Sequence, residues 1–146
     1  MTFQRFRKYI CDPVDTLYSK VIRFGEKRCW RCKKHRALQC CHIMSRGHYS
    51  TRFLLKPVRN AIVLCANCHV WMDTHFMDAL ILQPEKRVFS YTEESYTFLV
   101  ECCGYEWKDL QMLKIMSKRL CNSKLEKIRA KKELETELKR LCKSNQ

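Results

Sequence analysis

No stretch of the chain approaches the roughly 18 apolar residues that a membrane-spanning helix requires. There is no internal repeat and no low-complexity tract, so solenoid and fibrous classes are not expected. Acidic charge is scarce: 15 Asp and Glu stand against 29 Lys and Arg, a net charge of +14. Large aliphatic side chains are few between Cys29 and Cys68, so that segment needs a support other than apolar burial. Behind Arg5, Arg7 and Lys8 in Met1–Ile10 no apolar run follows, which argues against a secretory signal.

The 146 residues suit one domain, or a small domain with an appendage. Residues 1–28 hold 7 basic and 3 acidic side chains, 29–82 hold 8 and 2, and 83–146 hold 14 and 10. The positive excess is therefore densest in the middle. A concentrated basic surface suits nucleic acid, bound through phosphate contacts and counterion release; solubility alone is the plainer explanation. Eleven cysteines first suggest a disulfide framework. The odd number and the missing signal favour a reducing, cytoplasmic compartment, with some thiols on a metal and the rest buried or free.

Residues 1–28 read as a basic arm or short helix carrying Phe3, Phe6, Tyr9, Tyr18 and Phe24, with Pro13 breaking any long helix. Leu38–Ile43 and Ala61–Leu64 read as two short strands, and Ser45–Pro57 as a basic loop. A helix is expected from Asn67 to about Leu82, before Pro84. Beyond a soft boundary near Gln83–Phe89 the chain reads as helical. One helix is capped by Ser90 or Thr92 and stopped at Gly104. A second carries Leu110, Leu113, Met116 and Leu120 within Tyr105–Cys121. A third opens on a Ser123–Glu126 capping box and stripes Leu134, Leu138 and Leu141 along one face, with Glu135 and Lys139 paired. That stripe suits dimerisation or ordinary packing.

Cys29/Cys32 and Cys65/Cys68 are two Cys-x-x-Cys pairs separated by 32 residues. Thiolates at i and i+3 bite one tetrahedral Zn²⁺, and two pairs close the site, which makes such a zinc structural. The long spacer has room for a hairpin and a connecting loop. His42 lies at the end of the first strand, where an imidazole can serve as a general base or simply sit satisfied in the core. His69 follows the second pair at a helix start, where an imidazole can hold a divalent ion beside a phosphate. Asp73 lies one turn further on the same face; His75, at i+6, points elsewhere on an ideal helix. Asn60, before the second strand, can tie the loop to the hairpin. Trp30 and Trp71 suit base stacking or packing against the cysteine turns.

The run Leu38-x-x-x-His42-Ile43, then Asn60, then Leu64-Cys65-x-x-Cys68-His69, resembles the zinc-supported HNH (ββα-metal) endonucleases. Cys41-His42-Ile43-Met44-Ser45-Arg46 through Ser50-Thr51-Arg52 is similar to phage recombination nucleases of the NinG/Rap type, most strongly over residues 29–76. The resemblance implies an α+β fold: a small ββα core on a four-cysteine zinc (29–82), preceded by the 1–28 arm and followed by a helical region (83–146). It implies His42 as base, Asn60 as the central asparagine, and His69 as ligand of a Mg²⁺ or Mn²⁺ ion. It also implies DNA as partner, branched or recombination intermediates as substrate, and the host cytoplasm as location. Where the family usually places His or Asp before the base, this chain has Cys41, a soft donor better suited to Zn²⁺ than to Mg²⁺. Asp73 or His75 replaces it as ligand, or the ion is a softer one, or the domain only binds DNA. Arg46, His48, Arg52, Lys56 and Arg59 are the candidate DNA contacts, and His48 is also a rival for the base role.

Cys29→Ser is expected to unfold the central segment. A stable, zinc-free variant in thermal unfolding with metal analysis would refute the clamp.

Overall fold

The computed structural model describes residues 12–73 and 93–145. Its architecture is α+β. Helix α1 (Pro13–Ile22) precedes an antiparallel hairpin, β1 (Leu38–His42) and β2 (Ala61–Cys65), whose connection carries the one-turn helix α2 (Tyr49–Arg52). Helix α3 leaves β2 without a linker and covers residues 66–73. Helix α4 (Glu93–Thr97) continues as a π-turn (Phe98–Cys102), followed by α5 (Trp107–Ser117) and α6 (Ser123–Ser144).

The two strands pair in register from Leu38 opposite Cys65 to His42 opposite Ala61. All five β2 residues are buried, because the sheet is covered on both faces, as continuous apolar strands require. Alternation divides them. Ile62 and Leu64 point with Cys41 toward Met72 of α3, Leu99 of the π-turn and Leu110 and Leu113 of α5. Ala61 and Val63 point toward Tyr18, Val21 and Ile22 of α1 and Ala130 and Leu134 of α6. The helices beyond residue 93 thus complete both sides of the same core. Each fully buried Leu or Ile contributes about 1.5–3 kcal/mol.

Several local expectations change. Pro13 does not break a helix but opens one: it occupies the first turn, where no amide hydrogen bond is lost, and Asp12 caps it by accepting from Val14 N at 2.9 Å. Of the two readings of residues 1–28, the short helix is the one seen over Pro13–Ile22: α1 is a layer of the core, tied to α6 by Lys127 to Asp12 at 2.5 Å, and residues 1–11 lie outside the described residues. The loop expected over Ser45–Pro57 contains α2. Helix α5 stops at Ser117, leaving Leu120 fully exposed beyond its end. Asn122 caps α6, its side chain accepting from Lys124 N and Leu125 N, which puts Ser123 inside the helix rather than at its cap. Ion pairs on α6 are Arg129–Glu133 and Arg140–Glu137. Leu134 is buried against α1, and Leu138 and Leu141 are half-buried beside it, so the stripe packs within the chain. The ends expected near Leu82, the boundary at Gln83–Phe89 and the Ser90/Thr92 cap lie outside the described residues. Among the described residues no helix is long and apolar enough to cross a membrane.

Leu134→Ala should destabilise the chain by about 3 kcal/mol, as a buried core truncation does. Leu125→Ala, at an exposed site on the same helix, should change stability by no more than about 0.5 kcal/mol. Urea unfolding of the two variants checks the packing face of α6.

Candidate metal centre and adjoining cleft

The sulfurs of Cys29, Cys32, Cys65 and Cys68 all lie within 4.8 Å of one another. A tetrahedral ion with zinc–sulfur bonds of about 2.3 Å needs sulfurs about 3.8 Å apart, and Cys32 to Cys65 is 3.5 Å. The four thiols can therefore hold one metal ion such as zinc. The local backbone explains how they meet. Cys29 N donates to Lys34 O at 2.8 Å and Lys33 N to Cys29 O at 2.9 Å, closing a tight turn with Lys33 at φ +63. Trp30 N donates to Val63 O at 2.9 Å, pinning that turn to β2. Cys65 is the last residue of β2, and Cys68 sits in the first turn of α3.

Burial pushes the Cys29 thiol up, but the backbone amides of Cys32, Cys65 and Arg31 outweigh it and bring the group down to about 6. Burial pushes the Cys68 thiol up to about 12, against a hydrogen bond from Arg31 Nη1. Four clustered thiolates repel, and a cation relieves that repulsion. Arg31 also stacks on Trp71, 3.8 Å from its ring centroid, and Trp71 meets Phe98 edge-on. Trp71 thus packs beside the clamp.

The second strand face brings three more donors together. Cys41 Sγ, one His69 ring nitrogen and an Asp73 carboxylate oxygen lie within 4.8 Å of one another. Cys41 is buried, His69 half-buried and Asp73 exposed. His69 Nδ1 is 2.8 Å from Gln39 Oε1, and His69 Nε2 is 3.7 Å from Asp73 Oδ2. Burial drives the Cys41 thiol well above its ordinary range, and the Asp73 charge adds to this. A divalent ion fits this set of donors, since it offsets both effects. His75 lies outside the described residues.

His42 stands at the end of β1 with its ring stacked on Tyr18, centroids 5.3 Å apart. Its Nε2 is 3.0 Å from Arg52 O. A carbonyl only accepts, so Nε2 carries the proton and Nδ1 keeps the lone pair. Burial pushes the imidazole down to about 4, while the Arg52 carbonyl works the other way; the ring is neutral at pH 7. His42, His69 and Asp73 line one open cleft of about 840 Å³, along with Asp15 and Ser19 of α1 and Arg23 at its C-terminal cap.

Asn60 is fully buried and laces the β1–β2 connection together. Its Oδ1 accepts from Met44 N at 2.7 Å, and its Nδ2 donates to Met44 O at 3.2 Å and Thr51 O at 2.9 Å. Its backbone adds bonds to Ile43 N and Leu54 O.

Of the five basic or imidazole side chains expected to contact DNA, only Arg46 lines the cleft, and it is ion-paired with Asp15 at 3.1 Å. Arg52 is buried and grips Asp15 with two nitrogens, while its guanidinium lies over Tyr49 and Phe53. Its charge serves the fold, because a buried guanidinium needs a carboxylate partner. His48 precedes α2 without a side-chain cap bond, and the cleft is lined by His42 rather than His48. Lys56 and Arg59 do not line it either; both act on Glu137 of α6.

Sequence reasoning missed Asp15, Tyr18 and Gln39. Gln39 was legible, being two residues before Cys41 on the same strand face. Asp15 carried no signal, since its partners lie 31 and 37 residues away. No family model matches the chain, and no curated protein or solved structure matches it.

Asn60→Ala would strand three buried backbone groups, each worth about 1–3 kcal/mol when left unpaired. The expected loss is about 3 kcal/mol in chemical denaturation. A variant as stable as the parent would refute this role.

Proposed function

We propose that the chain is a zinc-supported HNH-type endonuclease that hydrolyses DNA phosphodiester bonds. One observation carries the reading: His42, on the first strand of a β–β–α unit, and His69, on its helix, line the same cleft. The zinc, held by Cys29, Cys32, Cys65 and Cys68, is structural, because four protein thiolates leave no open position.

His42 acts as general base. With Nε2 donating to the Arg52 carbonyl, Nδ1 takes a proton from a water whose oxygen attacks phosphorus. The bond to the 3′-oxygen breaks, leaving a 5′-phosphate and a 3′-hydroxyl after that oxygen gains a proton from solvent. Tyr18 and Arg52 orient the imidazole, and Asn60 holds the connection that supplies the Arg52 carbonyl. When bound by Cys41, His69 and Asp73, a divalent ion supplies charge neutralisation at the leaving oxygen. Arg46 and Arg23 line the cleft and would meet phosphates flanking the scissile bond. The net charge of +14 supports a polyanionic partner. Branched recombination intermediates are the substrate that the resemblance to NinG/Rap-type nucleases suggests.

A second reading is a zinc-stabilised DNA-binding recombination module without cleavage. It is favoured by Cys41, a sulfur where an oxygen or nitrogen ligand suits Mg²⁺. The two readings part at His42, since a pure binder has no use for a base.

Supercoiled plasmid and a four-way junction should be cut in the presence of Mg²⁺, Mn²⁺ or Zn²⁺ and left intact in EDTA. His42→Ala should lower the single-turnover rate by about 10²–10⁴-fold with DNA affinity retained. If His42→Ala cuts at the parent rate, the base assignment fails; if the parent cuts neither substrate with any ion, the binding module is the better description.

A further inference from the structure

Phosphodiester hydrolysis does not require a thiol, yet one faces the helix that carries His69. Cys41 lies on the same face of β1 as Gln39, and both approach α3: Gln39 through its bond to His69, Cys41 through its place beside His69 and Asp73. Gln39 Oε1 only accepts, so His69 Nδ1 carries the hydrogen and Nε2 turns its lone pair toward Cys41 and Asp73. Such a fixed tautomer is the usual support of a metal-bound imidazole. The donors are therefore one sulfur, one nitrogen and one carboxylate oxygen, drawn from β1 and α3, and the four-cysteine clamp ties α3 to β2, the strand that pairs with β1.

That chemistry discriminates among ions. Mg²⁺ prefers six oxygen donors and gives up water reluctantly. Zn²⁺ and Co²⁺ accept sulfur, nitrogen and oxygen in four-coordinate sites, and three protein donors leave one position for water or a phosphate oxygen. We propose that Cys41, His69 and Asp73 form a second metal site built for a zinc-class ion rather than Mg²⁺, with Gln39 as its positioning residue. The ion's part in cleavage rests on the nuclease reading; its binding does not. On binding, the Cys41 S–H bond breaks, the proton passes to solvent and the sulfur lone pair goes to the ion.

The test is metal analysis and Co²⁺ titration of the full chain, stripped of metal and refolded. Two ions per chain are expected. The second should give sulfur-to-cobalt charge-transfer absorption that survives Mg²⁺ in an excess on the order of 10³-fold. Cys41→Ser should abolish that second uptake while the four-cysteine site still fills. Gln39→Leu should weaken it by about 10–100-fold. Because Cys41 is buried, Asp73→Asn, at an exposed position, gives an independent check: it should weaken the second ion at least about 10-fold without loss of folding. One ion per chain, two undiminished in Cys41→Ser and Asp73→Asn, or displacement by Mg²⁺ would each overturn the site. A chain that holds two ions but leaves DNA intact supports the site and refutes the nuclease; one that cuts with Mg²⁺ and holds a single zinc does the reverse.

Discussion

Where α3 leaves the sheet is set by sulfur. Cys65 ends β2 and Cys68 lies one helical turn away, so gathering both with Cys29 and Cys32 fixes the exit angle of the helix. The cysteine turn is itself pinned to β2 by the Trp30 amide. With the junction rigid, His69 lands beside Cys41 and Gln39 on the neighbouring strand. A two-stranded hairpin is too small to impose this alone. An ion held there would turn four repelling thiols into a structural joint.

The opposite end of the hairpin solves a different problem. The connection from Ile43 to Asn60 must bring its backbone groups inside, and a buried polar group without a partner is costly. Asn60 meets this with one side chain that bonds to both Met44 and Thr51. The Arg52 side chain then runs inward to Asp15 of α1, while its carbonyl faces His42. The same short helix thus neutralises a buried charge and sets the tautomer of the cleft imidazole. Asp15, an ion-pair anchor in the first turn of α1, is part of what orients His42.

Expectation and structure part where contacts are distant in the chain. Both strands were readable because their alternation and apolar runs are local, and Gly104 stops a helix at φ +74 because only glycine adopts that backbone freely. The caps at Asp12 and Asn122 were misassigned by one residue or overlooked, since several neighbouring side chains can compete for the same amides. Arg52 read as a surface cation because nothing near it in sequence is acidic. Its partner arrives from α1, and burial with that partner changes its role.

Spacing along the chain determined by itself that two cysteine pairs bracket an imidazole and an asparagine and run directly into a second imidazole, because a thiolate pair at i and i+3 and strand alternation depend only on neighbours. Tertiary structure alone decided that Cys41, His69 and Asp73 converge, that Arg52 turns inward and Arg46 meets the cleft, and that the first helix is a layer of the core. Those outcomes depend on which surfaces pack together, and packing joins residues that the linear order keeps far apart.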